Sequence, residues 1–469
     1  MSLFSFFKMS GPSAKTVPAE KQDKLYKKLR LQTFIAGTLG YSLYYVCRTG
    51  LNVVKGPVIE DGFLNATQLG TISACLLFAY AIGKFVNGLL ADYSNIKKFM
   101  ATGLLISTVT NLLFGITGLW NKEVGVASGM VVALLSGLWA LNGWTQSMGA
   151  APAVIGLSRW FPIKVRGTFY GFFSSSHNIG EGLSFVFCGA LVSLAGWQWG
   201  FIGAAIAGAI GVIIILLLMH DTPESKGLAP IEVLAGEKTR EELAEEAMIK
   251  EAGKEAAAAE TARIQKAVFK NPGVWILALA SSFMYISRYA VNGWGTLVLE
   301  SKGFETAQAA MIISVNAWCG IFGTVLSGWF SDKVFKGDRK YPALVAGILN
   351  SISIAIFLYG GNELAVMILA MILRGLAIGV LICFLGGLMA VDLVPRKASG
   401  AALSIVGFAS YVAAGVQDVI SGILIDANAV EVAGKMTYDF DAAGIFWIGA
   451  SVISFLLPIL NWRRKQQQI

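Results

Sequence analysis

The strongest constraint on this chain is a series of about twelve apolar runs, each long enough to cross a lipid bilayer. A membrane-spanning helix needs about 20 consecutive, mostly apolar residues. Of the 469 residues, 55% are hydrophobic and 14% are charged, whereas soluble domains have roughly 25% charged residues. Because one soluble core cannot bury so much apolar surface, the sequence predicts an all-α integral membrane protein with twelve transmembrane helices. The predicted spans lie near residues 31–54, 68–90, 99–119, 124–150, 166–195, 199–219, 274–298, 309–330, 341–360, 364–392, 399–425 and 442–461.

The distribution of basic residues predicts how these spans are oriented. If the N-terminus is cytoplasmic, 29 of the 37 Lys and Arg residues face the cytoplasm, and only four (Lys55, Lys122, Lys302 and Lys435) face the opposite side. Because cytoplasmic loops are enriched in Lys and Arg, both termini are predicted to be cytoplasmic. The net charge of +8 therefore reflects membrane topology, and no nucleic-acid partner is predicted.

One long polar stretch, rich in Ala, Glu and Lys, divides six spans from six. Its composition is typical of a solvated helical linker. The predicted organisation is a cytoplasmic N-terminal segment at 1–30, a six-helix bundle at 31–219, a cytoplasmic linker at 220–273, a second six-helix bundle at 274–461 and a cytoplasmic tail at 462–469.

The two halves carry an internal repeat. Two separate motifs recur 240 residues later in the chain, and a shared offset is hard to obtain by chance. The halves are therefore predicted to be parallel repeats related by an axis along the membrane normal. The motif pairs are Tyr45-x-x-Arg48-x-x-x-Asn52 with Tyr285-x-x-Arg288-x-x-x-Asn292, and Gly88-x-x-x-Asp92 with Gly328-x-x-x-Asp332.

Each half places an arginine inside a membrane span at the same position of the repeated motif. Taken alone, Arg48 could extend along its helix to the outer interface, as long side chains do. Its repeated partner, Arg288, lies mid-span with a tyrosine at the same spacing, which favours a functional role. A guanidinium presents forked donors that match phosphate oxygens, so the pair predicts a site for a divalent anion such as a phosphate monoester. Tyr44, Tyr45 and Tyr285, three or four residues before an arginine, are predicted to share its face.

Further polar residues in the spans have both functional and structural interpretations. Lys84 suits a phosphoryl group as a third cation, or it forms a structural ion pair. His177 lies in a Ser-rich patch of span 5 and is either a site residue or an ordinary satisfied polar residue. Asn292, from the repeated motif, joins the candidate site residues. Glu181 and Asp418 are expected to neutralise Lys84 or Arg374, without the sequence indicating which pairs form.

The Gly-x-x-x-Asp motifs stand at the cytoplasmic ends of spans 2 and 8. The small residues Gly88 and Gly328 allow close helix contact. Asp92 and Asp332 can cap or form an ion pair with a neighbouring helix end. These four residues are predicted to be gating or structural residues.

Other kinds of site are excluded by their missing motifs. The five cysteines are far apart and show no metal-ligand spacing. The chain has no GxxxxGK[ST] phosphate loop and no acid, base or nucleophile constellation in a soluble domain. No enzymatic activity, catalytic residue, metal or cofactor is predicted.

Several stretches resemble one family closely, from about residue 22 to 461. They are "GYSLYYVCRTGLN", "YAIGKFVNGLLADYSN", "RGTFYGFFSSSHNIG", "HDTPESKGLAPIE", "YISRYAVNGW" and "GWFSDKVFKGDRK". The chain resembles the organophosphate:phosphate antiporter family of the major facilitator superfamily, which includes glycerol-3-phosphate and hexose-6-phosphate carriers and a hexose-phosphate sensor. The resemblance implies that Arg48 and Arg288 grip the phosphoryl group, that Lys84 and His177 line the same site, and that tyrosines near the first arginine help.

Four departures from the family's pattern lie around the expected pocket. Phe173-Ser174 stands where the family usually has Trp-Asn, and Gly180-Glu181 stands where it has Gly-Gly. Ala317 replaces a typical glutamate of span 8, and Val380 replaces a common aromatic of span 10. The organic part of the substrate is therefore left open.

The leading hypothesis is a monomeric transporter of the bacterial inner membrane. It imports an organic phosphate, such as a sugar phosphate or glycerol-3-phosphate, in exchange for inorganic phosphate by alternating access. One alternative is a membrane sensor of sugar phosphate that signals to a partner kinase. Another is a proton-coupled solute symporter, for which Glu181 and Asp418 would serve as proton relays.

Overall fold

The computed structural model describes residues 3–121, 127–239, 241–243, 245–246, 248, 254–335, 338–395, 398–432 and 435–461. The chain is mostly helical. Within the described residues, ten helices are long and apolar enough to cross a membrane. This agrees with the predicted all-α membrane architecture, and the count of twelve spans stays a prediction.

The long helices are numbered here by the predicted span that each contains. They are α1 Ala19–Glu60, α2 Ala66–Asp92, α3 Ile96–Asn121, α4a Gly129–Gln146 and α4b Ala150–Trp160, α5 Ile163–Ala195 (in two segments that meet at Ser175), α6 Trp197–Leu218, α7 Pro272–Ser301, α8 Thr306–Lys333, α9 Lys340–Tyr359, α10 Leu364–Cys383, α11 Ser399–Ala427 and α12 Asp441–Leu456.

Local sequence signals explain where several helices begin. Asn65 accepts a hydrogen bond from the main chain of Gln68, whose side chain bonds back to the N–H of Asn65, which forms a capping box at the start of α2. Asn271 caps α7, and Pro272 occupies its first position. Gly196, with φ of +94°, makes the sharp connection between α5 and α6 in a conformation that favours glycine.

The same helix neighbours recur in both halves. In the first half, α1 packs against α5 and α6, α2 against α4a, and α3 against α4a and α6. In the second half, α7 packs against α11 and α12, α8 against α10, and α9 against α10 and α12. Adding six to each helix number in the first half yields the second set, so the packing shows the internal repeat that the motifs predict.

The two halves meet along three helix pairs: α1 with α7, α2 with α11, and α5 with α8. The α2–α11 contact is very close, because a Cβ at Gly70 would overlap the main-chain carbonyl of Asp418. At the start of α2, the N–H groups of Ala66 and Thr67 donate to the carboxylate of Asp426 at 3.0 and 2.6 Å. A carboxylate at a helix N-terminus is favourable, so this cap joins the halves at the end of the molecule far from the chain termini.

The halves are apart at the other end, the one that carries the linker. A Cβ at Gly88 or at Gly328 would meet no atom within 4 Å. In this conformation neither glycine makes the predicted close helix contact, and their gating role stays a prediction. If both termini are cytoplasmic, as the sequence predicts, this open end faces the cytoplasm.

The predicted role of Asp92 is also not observed. Arg159 of α4b donates to the main-chain oxygen of Asp92 at 3.1 Å, and its ion pair, at 2.5 Å, is with Asp221. Asp221 also accepts from the N–H groups of Ile96 and Ser10 at 3.1 and 2.7 Å. The first residues of the linker therefore hold this end of the bundle, whereas the carboxylate of Asp92 makes no ion pair among the described residues. The side chain of Asp332 lies outside the described part of the chain.

Two further features differ from the sequence prediction. The helix of span 1 continues past residue 54 to Glu60, which places Lys55 inside it. Between α11 and α12, β1 (Ala429–Val432) and β2 (Lys435–Tyr438) form an antiparallel pair. Alternating Val and polar residues favour such short strands, and the hairpin is an exception to an otherwise helical chain.

Candidate anion-binding site

Arg48 of α1 lies in a cage of tyrosines. Its side chain is buried, and its Nη2 donates to the hydroxyl of Tyr289, in α7, at 2.8 Å. The guanidinium carbon lies 4.4 Å from the ring centroid of Tyr80, 5.4 Å from that of Tyr411 and 5.5 Å from that of Tyr45. Aromatic faces attract cations. Because no carboxylate of the described residues pairs with it, Arg48 keeps its charge for another anion.

Arg288 of α7 is compensated by a carboxylate from the other half. Its Nη2 lies 3.6 Å from Oε2 of Glu181, in α5, and both side chains are nearly inaccessible. The guanidinium carbon is 5.5 Å from the ring centroid of Tyr289 and 5.7 Å from that of Tyr285. Tyr289 therefore stands beside both arginines.

The two arginines share one cavity of about 30 Å³. It lies between the halves, and its walls include Arg48, Arg288, Glu181, Asn292 and Tyr289. A volume of this size holds about one or two water molecules. The convergence of one arginine from each half, which the repeat predicts, is present in the fold.

Lys84 and His177 adjoin the tyrosine cage. The side chain of Lys84 is exposed, and its Nζ lies 5.4 Å from the ring centroid of Tyr411. Lys84 forms no ion pair within the described part of the chain. The ring of His177 is half-buried and lies 5.9 Å from the ring of Tyr45. Both predicted residues are therefore on the edge of the cage that surrounds Arg48.

The structure does not bring Tyr44 to the site. Tyr44 is fully buried in the first half, and its hydroxyl donates to the main-chain oxygen of Met100 at 2.6 Å. Successive residues of an α-helix are 100° apart, so Tyr44 and Tyr45 cannot both face the cavity. Tyr45 contacts Arg48, whereas Tyr44 packs against α3.

Asn292 supports the site, and in this conformation its amide nitrogen and oxygen are both engaged by neighbouring side chains. Its Nδ2 donates to Glu181 at 2.5 Å, and its Oδ1 accepts from Arg374 at 3.0 Å and from Asn316 at 3.3 Å. The predicted role in direct substrate binding is therefore not met in this conformation. Tyr285, by contrast, stacks against the Tyr289 ring at 5.8 Å and lies beside Arg288.

The expected pairing of the acidic residues is wrong in its partners. Asp418 lies 3.8 Å from Nζ of Lys55 and accepts from Nε1 of Trp294 at 3.1 Å. Lys55 also lies over the Trp294 ring, 3.6 Å from its centroid. Arg374, fully buried, makes no ion pair among the described residues and donates to the main-chain oxygen of Arg288 at 2.8 Å. Charged side chains buried in a membrane pair with an opposite charge or with main-chain carbonyl groups. Which partner each one finds depends on how the helices pack.

Three tyrosines and Lys55 were missed as site residues. Tyr80 stands four residues before Lys84, and Tyr289 stands four residues after Tyr285, so each shares a helix face with a predicted residue. Tyr411 is the single tyrosine of its apolar span, and the sequence does not indicate which residue it contacts. Lys55 was assigned to a loop because the predicted span ended one residue before it.

The arrangement can bind an anion, because one arginine from each half lines the same cavity. Within the residues that the structure describes, no group of three or more His, Cys, Asp and Glu residues is placed to hold a metal ion. Arginine stays charged at any working pH and does not exchange protons. The chemistry of the site is therefore recognition of charge and of oxygen geometry.

Comparison with known proteins gives the family. The model of the major facilitator superfamily matches residues 37–417. The chain belongs to this superfamily. Its members are membrane transporters rather than enzymes, and the helix-neighbour repeat and the three cross-half contacts are consistent with their fold.

Two curated relatives extend over nearly the whole chain. The glycerol-3-phosphate transporter of Bacillus subtilis (strain 168) is 32% identical over 96% of this chain and 96% of its own length. The probable hexose phosphate transport protein of Chlamydia muridarum is 31% identical over 95% of this chain and 94% of its own length. These similarities agree with the resemblance to the organophosphate:phosphate antiporter family.

A solved structure shares the fold. A bacterial homolog of the human lysosomal transporter Spinster, in an inward-facing and unoccupied conformation, superposes with a TM-score of 0.71. The comparison covers 94% of this chain and 100% of that chain at 18% sequence identity. At that identity the likeness concerns the fold alone.

Proposed function

We propose that this transporter imports an organic phosphate ester, such as a sugar phosphate or glycerol-3-phosphate, in exchange for inorganic phosphate. The observation that carries the proposal is the position of Arg48, buried among aromatic rings beside Arg288 and without a carboxylate partner in the described part. A buried cation needs an anion or a wet cavity. Phosphate and phosphate esters share the phosphoryl group that two arginines recognise.

The two halves supply a route for alternating access. The site lies where α1, α5 and α7 meet, and the halves are closed on one side of it and apart on the other. Rocking of one half against the other would expose the same residues to the opposite side. We place the open side at the cytoplasm of a bacterial inner membrane, with both termini on that side.

The test is counterflow in proteoliposomes that contain the purified protein and unlabelled phosphate. Uptake of labelled phosphate is measured against a panel of competitors: glycerol-3-phosphate, hexose-6-phosphates and the corresponding neutral sugars. The proposal predicts counterflow that phosphate esters inhibit and neutral sugars do not. Absence of phosphate counterflow by folded protein would overturn it.

The proton-coupled symporter is less well supported than the exchanger. The two carboxylates that would serve as its proton relays both have basic partners. Glu181 pairs with Arg288, and Asp418 pairs with Lys55. Neutralising these buried basic groups already explains both carboxylates, because a charge inside the membrane needs a partner. Ligand binding without counterflow in the same experiment would instead favour the sensor.

A further inference from the structure

Glu181 is placed where a bound phosphoryl group would compete with it. Its Oε2 lies 3.6 Å from Nη2 of Arg288, and its Oε1 accepts from Asn292 at 2.5 Å. These two donors belong to α7, whereas Glu181 comes from α5 of the other half. A carboxylate from the first half thus takes the anion-binding position beside the arginine of the second half.

The donors that hold Glu181 are themselves fixed. Arg374 donates one hydrogen bond to Oδ1 of Asn292 at 3.0 Å and another to the main-chain oxygen of Arg288 at 2.8 Å. Asn316 donates to the same Oδ1 at 3.3 Å. Because its oxygen is taken, Asn292 presents its NH₂ group to the carboxylate. The second half therefore carries a built receptor for one carboxylate or phosphoryl oxygen pair.

In this conformation the cavity is smaller than a phosphate ion, and Glu181 is the wall residue that occupies Arg288. The cavity measures about 30 Å³ with Glu181 in its wall, which holds about one or two water molecules. The other carboxylate in this wall, Asp418, is held by Lys55 and Trp294 instead. Glu181 is therefore the carboxylate that a ligand must displace to reach Arg288.

We infer that Glu181 is a tethered competitor of the substrate's phosphoryl group for Arg288, and that it determines how tightly phosphate is held. In the empty carrier Glu181 neutralises Arg288 and spans the two halves. A phosphoryl group bound at Arg48 takes over Arg288, and Glu181 returns to it as the ligand leaves. The inference rests on the proposed phosphate transport and deepens it: Glu181 is a specificity-determining residue for ligand charge.

The test measures the KM for phosphate and the maximal exchange rate in proteoliposomes for wild type, Glu181→Gln and Glu181→Asp. Removing the competing charge in Glu181→Gln is expected to lower the KM by about tenfold and to slow exchange, because release becomes slower. Glu181→Asp keeps the charge and is expected to stay within about threefold of the wild-type KM. A merely structural role would not tighten phosphate binding.

Asp426→Asn is the matched control. It also removes a carboxylate that bridges the halves, but one that accepts from Ala66 and Thr67 at the start of α2 and does not line the cavity, so its KM is not expected to fall. Folding is checked by size-exclusion profile and thermal unfolding, and Glu181→Ala serves as a second variant if the glutamine form is unstable. A KM that is unchanged or higher in folded Glu181→Gln and Glu181→Ala overturns the inference. Loss of counterflow in the wild type itself would instead overturn the proposed function.

Discussion

At the scale of residues, the two arginines are held in the membrane by different means. Arg48 is surrounded by tyrosine rings and bonded to one hydroxyl, whereas Arg288 has a carboxylate partner. The repeat in the sequence predicts equivalent arginines, but their neighbours are not equivalent. Arg48 can bind an anion directly, whereas Arg288 must release Glu181 before it can bind another anion.

The hydroxyl of Tyr289 is expected to orient Arg48 for the ligand. It accepts from Nη2 of Arg48 at 2.8 Å, and one such bond contributes about 1 kcal/mol. Tyr289→Phe keeps the ring and should raise the KM for phosphate by about fivefold, measured by counterflow. Tyr285→Phe is the control, since Tyr285 contacts the site through its ring. Equal effects of the two substitutions would contradict this role.

The two arginines that line one cavity could be expected from the sequence, but most of the tyrosines around Arg48 and the pairing of the charges could not. The repeated arginine, a charge in an apolar run, is a local signal, and so is Lys84. The direction of Tyr44 depends on the exact rotation of α1. The partners of Glu181 and Asp418 depend on which helices of the two halves touch, and a single sequence carries no record of those contacts.

At the scale of elements, Asp221 holds together the end of the first half that adjoins the linker. Its carboxylate pairs with Arg159 of α4b and caps the start of α3 through Ile96. Both side chains of the pair are largely buried, with 13% of Arg159 and 4% of Asp221 exposed. A buried pair that loses one partner leaves an uncompensated charge.

Asp221→Ala is therefore expected to lower the free energy of unfolding by about 3 kcal/mol, measured by thermal unfolding in detergent. Asp23→Ala is the control, because the Asp23–Lys27 pair is largely exposed and contributes less than about 1 kcal/mol. Similar stability of both variants would show that Asp221 does not hold this end of the bundle.

The surface of α2 that carries Lys84 and Gly88 is expected to close against α11. Residues four apart share a helix face, and Lys84 points to Tyr411 of α11. A Cβ at Gly88 meets no atom within 4 Å here, so Gly88→Leu should fold normally and obstruct closure of the open side. We expect its exchange rate to fall at least about tenfold with an unchanged melting temperature.

Gly129→Leu is the control for this substitution. Gly129 also has open space around it, but it begins α4a, which makes no main contact with the other half. Its exchange rate should stay near that of the wild type. Full activity of Gly88→Leu would argue against closure at this surface.

Long elements were predictable and short ones were not. The apolar runs lie in long helices because lipid demands internal hydrogen bonding over about 20 residues. The hairpin of β1 and β2 has four residues in each strand, and so short an alternation does not stand out between two long apolar runs. The continuation of α1 to Glu60 was missed because a lysine directly after an apolar run is typical of a loop. In the structure Lys55 lies beside Asp418 and Trp294, within the helix.

At the scale of the whole molecule, one symmetry explains both the packing and the site. If the two halves are exchanged, α2 takes the place of α8 and α11 takes the place of α5. The α2–α11 contact is therefore equivalent to the α8–α5 contact. Because α1 and α7 are equivalent, their arginines meet near the axis between the halves. Glu181 and Lys84 break this symmetry, because both come from the first half. Glu181 lies beside Arg288, and Lys84 lies at the edge of the tyrosine cage around Arg48.

The central claim is that Arg48 and Arg288 together hold the phosphoryl group. The most direct measurement is phosphate counterflow by Arg48→Lys and Arg288→Lys, with Arg263→Lys in the exposed linker helix as the control. Lysine keeps the charge and loses the forked donors, so each site variant should raise the KM for phosphate at least about tenfold, while the control stays at the wild-type value. Wild-type KM and rate in either folded site variant would contradict the account.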